Sequence, residues 1–182
     1  MPACSPGRED TQSGYRLDVV ASDVADVVRS AGGWLYDRAA AGWEVSVLLP
    51  PPSDLRALQI LGVRVVDLES ALSMDSGGAA VAVSAAAVAA DPRIRGKVHR
   101  ALRHSLTEVT LWGDSWPPAV GRALTAVQYS LTAAAQAFKR QALIAAGIDC
   151  GSQGSTEKFL SDLGTCLPVD SDLTPAAART RA

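Results

Sequence analysis

Asp23 and Asp26 stand three residues apart, directly after the apolar run Tyr15 to Ala21 (YRLDVVA). Open α/β sheets bind ligands outside the carboxyl ends of their strands, so acidic residues placed there are the first to consider for chemistry. Other predicted strand ends carry Asp67, closing VRVVD, Ser84, closing AAVAVS, and Trp112-Gly113-Asp114-Ser115-Trp116 after TEVTL. The candidate ligand-binding residues are therefore Asp23, Asp26, Asp67, Trp112, Asp114 and Trp116. Tryptophan is costly to leave exposed, so Trp112 and Trp116 either enter the core or line a pocket. Asp67 also has a plainer reading as the N-cap of a following helix.

Several chemistries lack their parts. There is no G-x-G-x-x-G after the first strand and no G-x-x-x-x-G-K-[ST], the loops that cradle phosphates. No G-x-S-x-G elbow is present. The two histidines, His99 and His104, are five apart on one predicted helix, so they diverge and do not make the i, i+4 chelate of zinc proteases. A phospho-acceptor domain would need a lysine after the fifth strand, where the chain has Trp112-Gly113-Asp114. No catalytic residue, metal ligand or cofactor is indicated.

The clearest charge feature is the predicted helix from Pro92 to His104. Arg93, Lys97, Arg100 and His104 form one row at spacings of four, three and four, opposite Ile94, Val98, Ala101 and Leu102. A solvated outer helix has this pattern. As a functional surface, Arg93, Lys97 and Arg100 would dock an acidic protein partner. Nucleic acid fits less well, because the formal net charge is −2 and no aromatic residue interleaves the basic ones.

These residues need elements to hold them. Apolar runs at Tyr15–Ala21, Trp43–Leu49, Val63–Asp67, Ala79–Ser84 and Thr107–Trp112 read as five strands, each followed by a helical or turn segment. That alternation predicts βαβ units and a three-layer Rossmann-like or flavodoxin-like α/β sandwich with a mostly parallel sheet of about five strands. Gly32 and Gly33, inside the first helix, cost about 1 kcal/mol each relative to Ala, which points to close packing against the sheet. Ala126 to Ser130 is a possible sixth strand. The stripe Leu131, Ala134, Ala135, Phe138, Ala142 and Ala145 predicts a last helix that buries Phe138 beside two solvated charges, Lys139 and Arg140. Residues 1–14 read as a disordered lead, 15–147 as the domain, and 148–182 as a flexible tail.

The first βαβ unit resembles that of the LmbE/PIG-L family of zinc-dependent N-acetylglucosaminyl deacetylases, through VVA of the first strand, Gly32-Gly33, and Gly42-Trp43-Glu44-Val45. The family has His-Pro-Asp-Asp after the strand, giving two zinc ligands and a general base. The resemblance places Asp23 at the histidine, Val24 at the proline, Ala25 at the basic aspartate and Asp26 at the ligand aspartate. The base is thus missing and a carboxylate replaces the histidine.

Cys4, Cys150 and Cys166 are odd in number and lack C-x-x-C spacing, which fits a reducing compartment. MPACSPGRED has no apolar core of a signal peptide, and Ala79–Ala90 is too short to span a bilayer. The expectation is a cytoplasmic protein without membrane contact. With a well-formed core and no catalytic motif, the chain reads as a non-catalytic regulatory or protein-interaction module and leans away from being an enzyme. The alternative is a small-molecule or nucleotide-binding domain, a degenerate metal-dependent hydrolase.

Overall fold

The computed structural model describes residues 15–51, 54–72, 80–103, 108–114, 116, 124–151, 154–162 and 172–176. The expected lead, residues 1–14, lies outside them, as does His104.

Five parallel strands, β1 (Arg16–Val20), β2 (Glu44–Leu49), β3 (Arg64–Asp67), β4 (Ala80–Ser84) and β5 (Glu108–Trp112), run in the order β3-β2-β1-β4-β5. Alternate residues of a strand face opposite sides. In β2 this sends Val45, Val47 and Leu49 into one core and Leu48 into another. Such doubly apolar strands suit a sheet covered on both faces. Helices α1 (Val24–Ala40), α2 (Arg56–Ile60) and α6 (Ala133–Ala145) supply Val27, Leu58 and Ala142 to the first core. Helices α3 (Leu68–Leu72), α4 (Ala85–Ala90) and α5 (Pro92–Arg103) supply Leu68, Ala87 and Ile94 to the second.

The sheet has eight strands rather than about five, and it is mixed. Beyond β5 come β7 (Thr156–Ser161), then β6 (Thr125–Ser130), then β8 (Thr174–Pro175), with antiparallel pairing at each step. The stretch read as a flexible tail, residues 148–182, therefore supplies a strand that lies between β5 and β6. Phe159 of that strand is buried and its ring lies 5.0 Å from that of Trp34.

Helix α6 also departs from expectation. Ala135 and Ala142 are buried, but Phe138 is 43% exposed and rests on the ring of Tyr36, while Lys139 is only 7% exposed. The lysine goes in because partners wait for it: Nζ donates to the Arg29 carbonyl (2.8 Å) and to Glu157 Oε1 of β7. Glu157 in turn accepts the backbone N–H groups of Gly33 (2.9 Å) and Trp34 (2.8 Å) in the middle of α1. An ion pair thus takes up backbone groups of a helix from the side. The close packing expected at the glycine pair holds at Gly33 against Leu131 rather than the sheet: a Cβ there would sit 2.9 Å from Leu131 Cδ1 and closer still to Cδ2.

At the opposite end of α1, Arg38 is 2% exposed and lies between the rings of Trp34 and Trp43, at 4.5 and 4.1 Å. Its guanidinium donates to Glu108 at the start of β5 and to Asp172 just before β8. These pairs hold its pKa above the ordinary value, against the opposing effect of burial.

Candidate functional site

Chain order reverses between β1 and β4, and the carboxyl ends of strands beside such a reversal are where open α/β sheets bind ligands. Asp23 sits there in extended backbone as the N-cap of α1: its Oδ1 accepts the Asp26 N–H (2.8 Å) and its Oδ2 accepts the Ser22 hydroxyl (3.1 Å). Asp26, in the first turn, turns toward β5. Its Oδ1 accepts the Trp112 indole N–H (3.1 Å), and its Oδ2 is a buried atom with no hydrogen-bond partner among the described residues. Asp23, Asp26 and Trp112 therefore meet. Trp112 is core, 2% exposed, and Trp116 is half-buried with its indole N–H on the Gly113 carbonyl.

The remaining candidates do not join them. Asp67, at the end of β3, is two strands from β1 on one side; Asp114 follows β5, two strands away on the other. With strands about 4.8 Å apart, these two ends are separated by roughly 19 Å. Asp67 accepts the Ser70 N–H and hydroxyl at the head of α3, which holds its carboxyl below the ordinary value. Asp114 is exposed. In the basic row of α5, Arg93 donates to Glu69 of α3 and to Asp91, and Lys97 donates to the Ala71 carbonyl. Those contacts raise the pKa of Arg93 and lower those of Glu69 and Asp91. Arg93 and Lys97 thus tie α5 to α3, while Arg93 and Arg100 stay exposed on the face expected to dock a partner.

A cavity of about 440 Å³ opens beside Asp23. Its walls are the end of β1 and head of α1 (Ser22 to Ala25), the end of β2 (Leu49, Pro50, Pro51), Asp54 and Ala57 near α2, and Ala145 and Ala146 at the end of α6. Asp54 is bound by Arg56 through two short contacts (2.7 and 3.0 Å). The Asp23 carboxylate, by contrast, meets the neutral Ser22 hydroxyl and Asp26 N–H and no cation among the described residues. The wall is apolar with acceptor groups, which suits a neutral or cationic ligand better than a phosphate. The strand ends of this wall were legible from sequence. Asp54, Ala145 and Ala146 carried no signal, since they reach the site only through tertiary packing.

No protein-family model and no curated protein matches the chain. Solved structures do. A deacetylase of teicoplanin biosynthesis, in complex with teicoplanin, matches with a TM-score of 0.59 at 14% identity, over 80% of this chain and 97% of that one. The deacetylase Dbv21, which acts on the A40926 pseudoaglycone, matches with a TM-score of 0.55 at 17% identity, over 80% and 96%. A triple mutant of the teicoplanin-pathway deacetylase gives 0.53 at 20%, over 71% and 81%. The fold is that of deacetylases. The resemblance of the first βαβ unit thus extends, as a fold, over most of the chain. The expected regulatory or protein-interaction module is corrected by the same finding, because the chains that share the fold are enzymes.

One of them is a zinc-inhibited form of the teicoplanin deacetylase, so a metal is the group to test against these residues. Among the described residues no three His, Cys, Asp or Glu side chains come together as a metal-binding group. His99 lies on α5, and Ala25 occupies the position where the resemblance puts a base. The donor set among the described residues does not fit a hydrolytic metal.

Proposed function

We propose that this chain is a small-molecule-binding domain on the deacetylase fold, a degenerate metal-dependent hydrolase whose ligand enters the crevice beside Asp23. The cavity of about 440 Å³ at the carboxyl ends of β1 and β2 carries this reading, because that edge is where open α/β sheets bind ligands and the volume lies in the range of small-molecule pockets. A related fold seen in complex with teicoplanin supports it. Asp23 and the neighbouring carbonyl groups accept hydrogen bonds from the ligand, and Leu49, Pro50 and Ala145 supply the apolar wall. A nucleotide is disfavoured: the head of α1, where a phosphate would sit, already holds the Asp23 carboxylate. No helix among the described residues is long and apolar enough to cross a membrane; the cysteine pattern supports a cytoplasmic setting.

The test uses N-acetylglucosamine and glucosamine as probes in thermal-shift and NMR titrations. Stabilisation should follow RT ln(1 + [L]/Kd) and vanish in Ala145→Leu, which fills the cavity. Unchanged melting and unshifted Ser22–Ala25 amides with both probes would sink the reading.

A further inference from the structure

We infer that the crevice at the head of α1 binds its ligand without a metal, because among the described residues the two carboxylates there already orient to protein donors and no third ligand joins them. The inference rests on the function proposed above only for the place of the ligand. A hydrolytic metal centre needs about three side-chain ligands around an open coordination position, and each ligand must offer its lone pair to the ion.

Here three of the four carboxylate oxygens already give one lone pair to a protein donor. Both oxygens of Asp23 accept protein donors, one from the backbone of its own helix, so turning the carboxylate to a metal would uncap α1. Asp26 Oδ1 faces the Trp112 indole N–H at 3.1 Å. A metal on that oxygen would be confined to the lone pair that the N–H leaves. The indole is poorly placed to yield: Trp112 is 2% exposed, and its backbone is in register with Ser84 in the β4–β5 ladder. Gly113 then brings the chain against the head of α4, where a Cβ would approach Ala85 Cβ to 2.8 Å. What remains wholly open is Asp26 Oδ2, one buried acceptor without a donor among the described residues. It suits a single hydrogen bond and not a coordination sphere. Ala25 adds no oxygen.

The full chain, purified without chelator, should carry no stoichiometric zinc by elemental analysis. Added Co²⁺ should give no tetrahedral ligand-field absorption, and melting in Zn²⁺ should superimpose on melting in EDTA. Glucosamine should bind with the same Kd in both buffers. One equivalent of zinc or cobalt on the wild type, lost in Asp26→Asn, would overturn the inference, as would glucosamine affinity that rises tenfold with zinc. Absence of sugar binding in either buffer, with no metal bound, would instead overturn the proposed function and leave the metal result standing.

Discussion

Lys139 and Glu157 reach the middle of α1 from two other elements, and each satisfies backbone groups that the helix leaves to it. Removing one partner of a buried ion pair leaves an uncompensated charge, at a cost of about 3–5 kcal/mol. Lys139→Met should therefore lower stability by that order in urea melts, despite adding an apolar side chain at a helical position. Burial pushes the Glu157 carboxyl above its ordinary value of 4.5, with Lys139 and the two N–H groups pulling the other way. With the folded value raised, the native state keeps a proton that the unfolded chain releases. This contribution is complete below the unfolded value and shrinks as pH rises through the folded one. Glu157→Gln should remove that slope from the urea midpoint as pH is raised above the ordinary carboxylate value of 4.5. The glycine pair separates by contact. Gly33→Ala meets the Leu131 side chain and should cost about 1–3 kcal/mol, whereas the nearest atom to a Cβ at Gly32 is Leu61 Cδ1 at 3.4 Å, so Gly32→Ala should be neutral or gain up to about 1 kcal/mol. None of this was legible at residues 138–140: a helical stripe shows which side is apolar, and only the carboxylate from β7 decides that the charge goes in.

Among the elements, α6 depends on its first residues more than its length suggests. Thr132 caps it by accepting the Ala135 N–H, and the same hydroxyl donates to Asp37 of α1 (2.6 Å), which also accepts the Tyr129 hydroxyl. That carboxylate and burial together raise the Tyr129 pKa. Thr132→Ala removes a cap and a bridge, and a loss of about 1–2 kcal/mol is expected, with early amide exchange confined to the start of α6. The parallel strands were readable because being apolar on both faces leaves few other solutions for VRVVD or AVAVS. Helix α4 was not, because AAAVAA has no periodicity, and its start is marked only by Ser84 accepting the Ala87 N–H. Strand β7 was missed although Glu157 and Phe159 alternate with exposed Thr156 and Lys158, because glycine and serine before it resemble a linker.

At the scale of the molecule, the order β3-β2-β1-β4-β5 places the one seam where the chain reverses beside Asp23, so the candidate site was legible as an edge. Its walls were not, since Asp54 and Ala145 lie ninety-one positions apart in the chain and meet only after folding. Within the sheet, β6 is bonded to β7 and β8 and has no direct partner among the five parallel strands. A chain cut before residue 156 should accordingly lose cooperative unfolding in denaturant, since it would leave β6 without its bridge, the N–H groups of Gly33 and Trp34 without Glu157, and Lys139 without its partner. The same arrangement sets a timetable. During synthesis the parallel half emerges first, yet α1 waits for an acceptor 124 residues downstream of Gly33. That acceptor is absent until residue 157 has been made, and contacts of such long sequence separation make slow closing steps. A chaperone's chance to act on this protein falls in that interval.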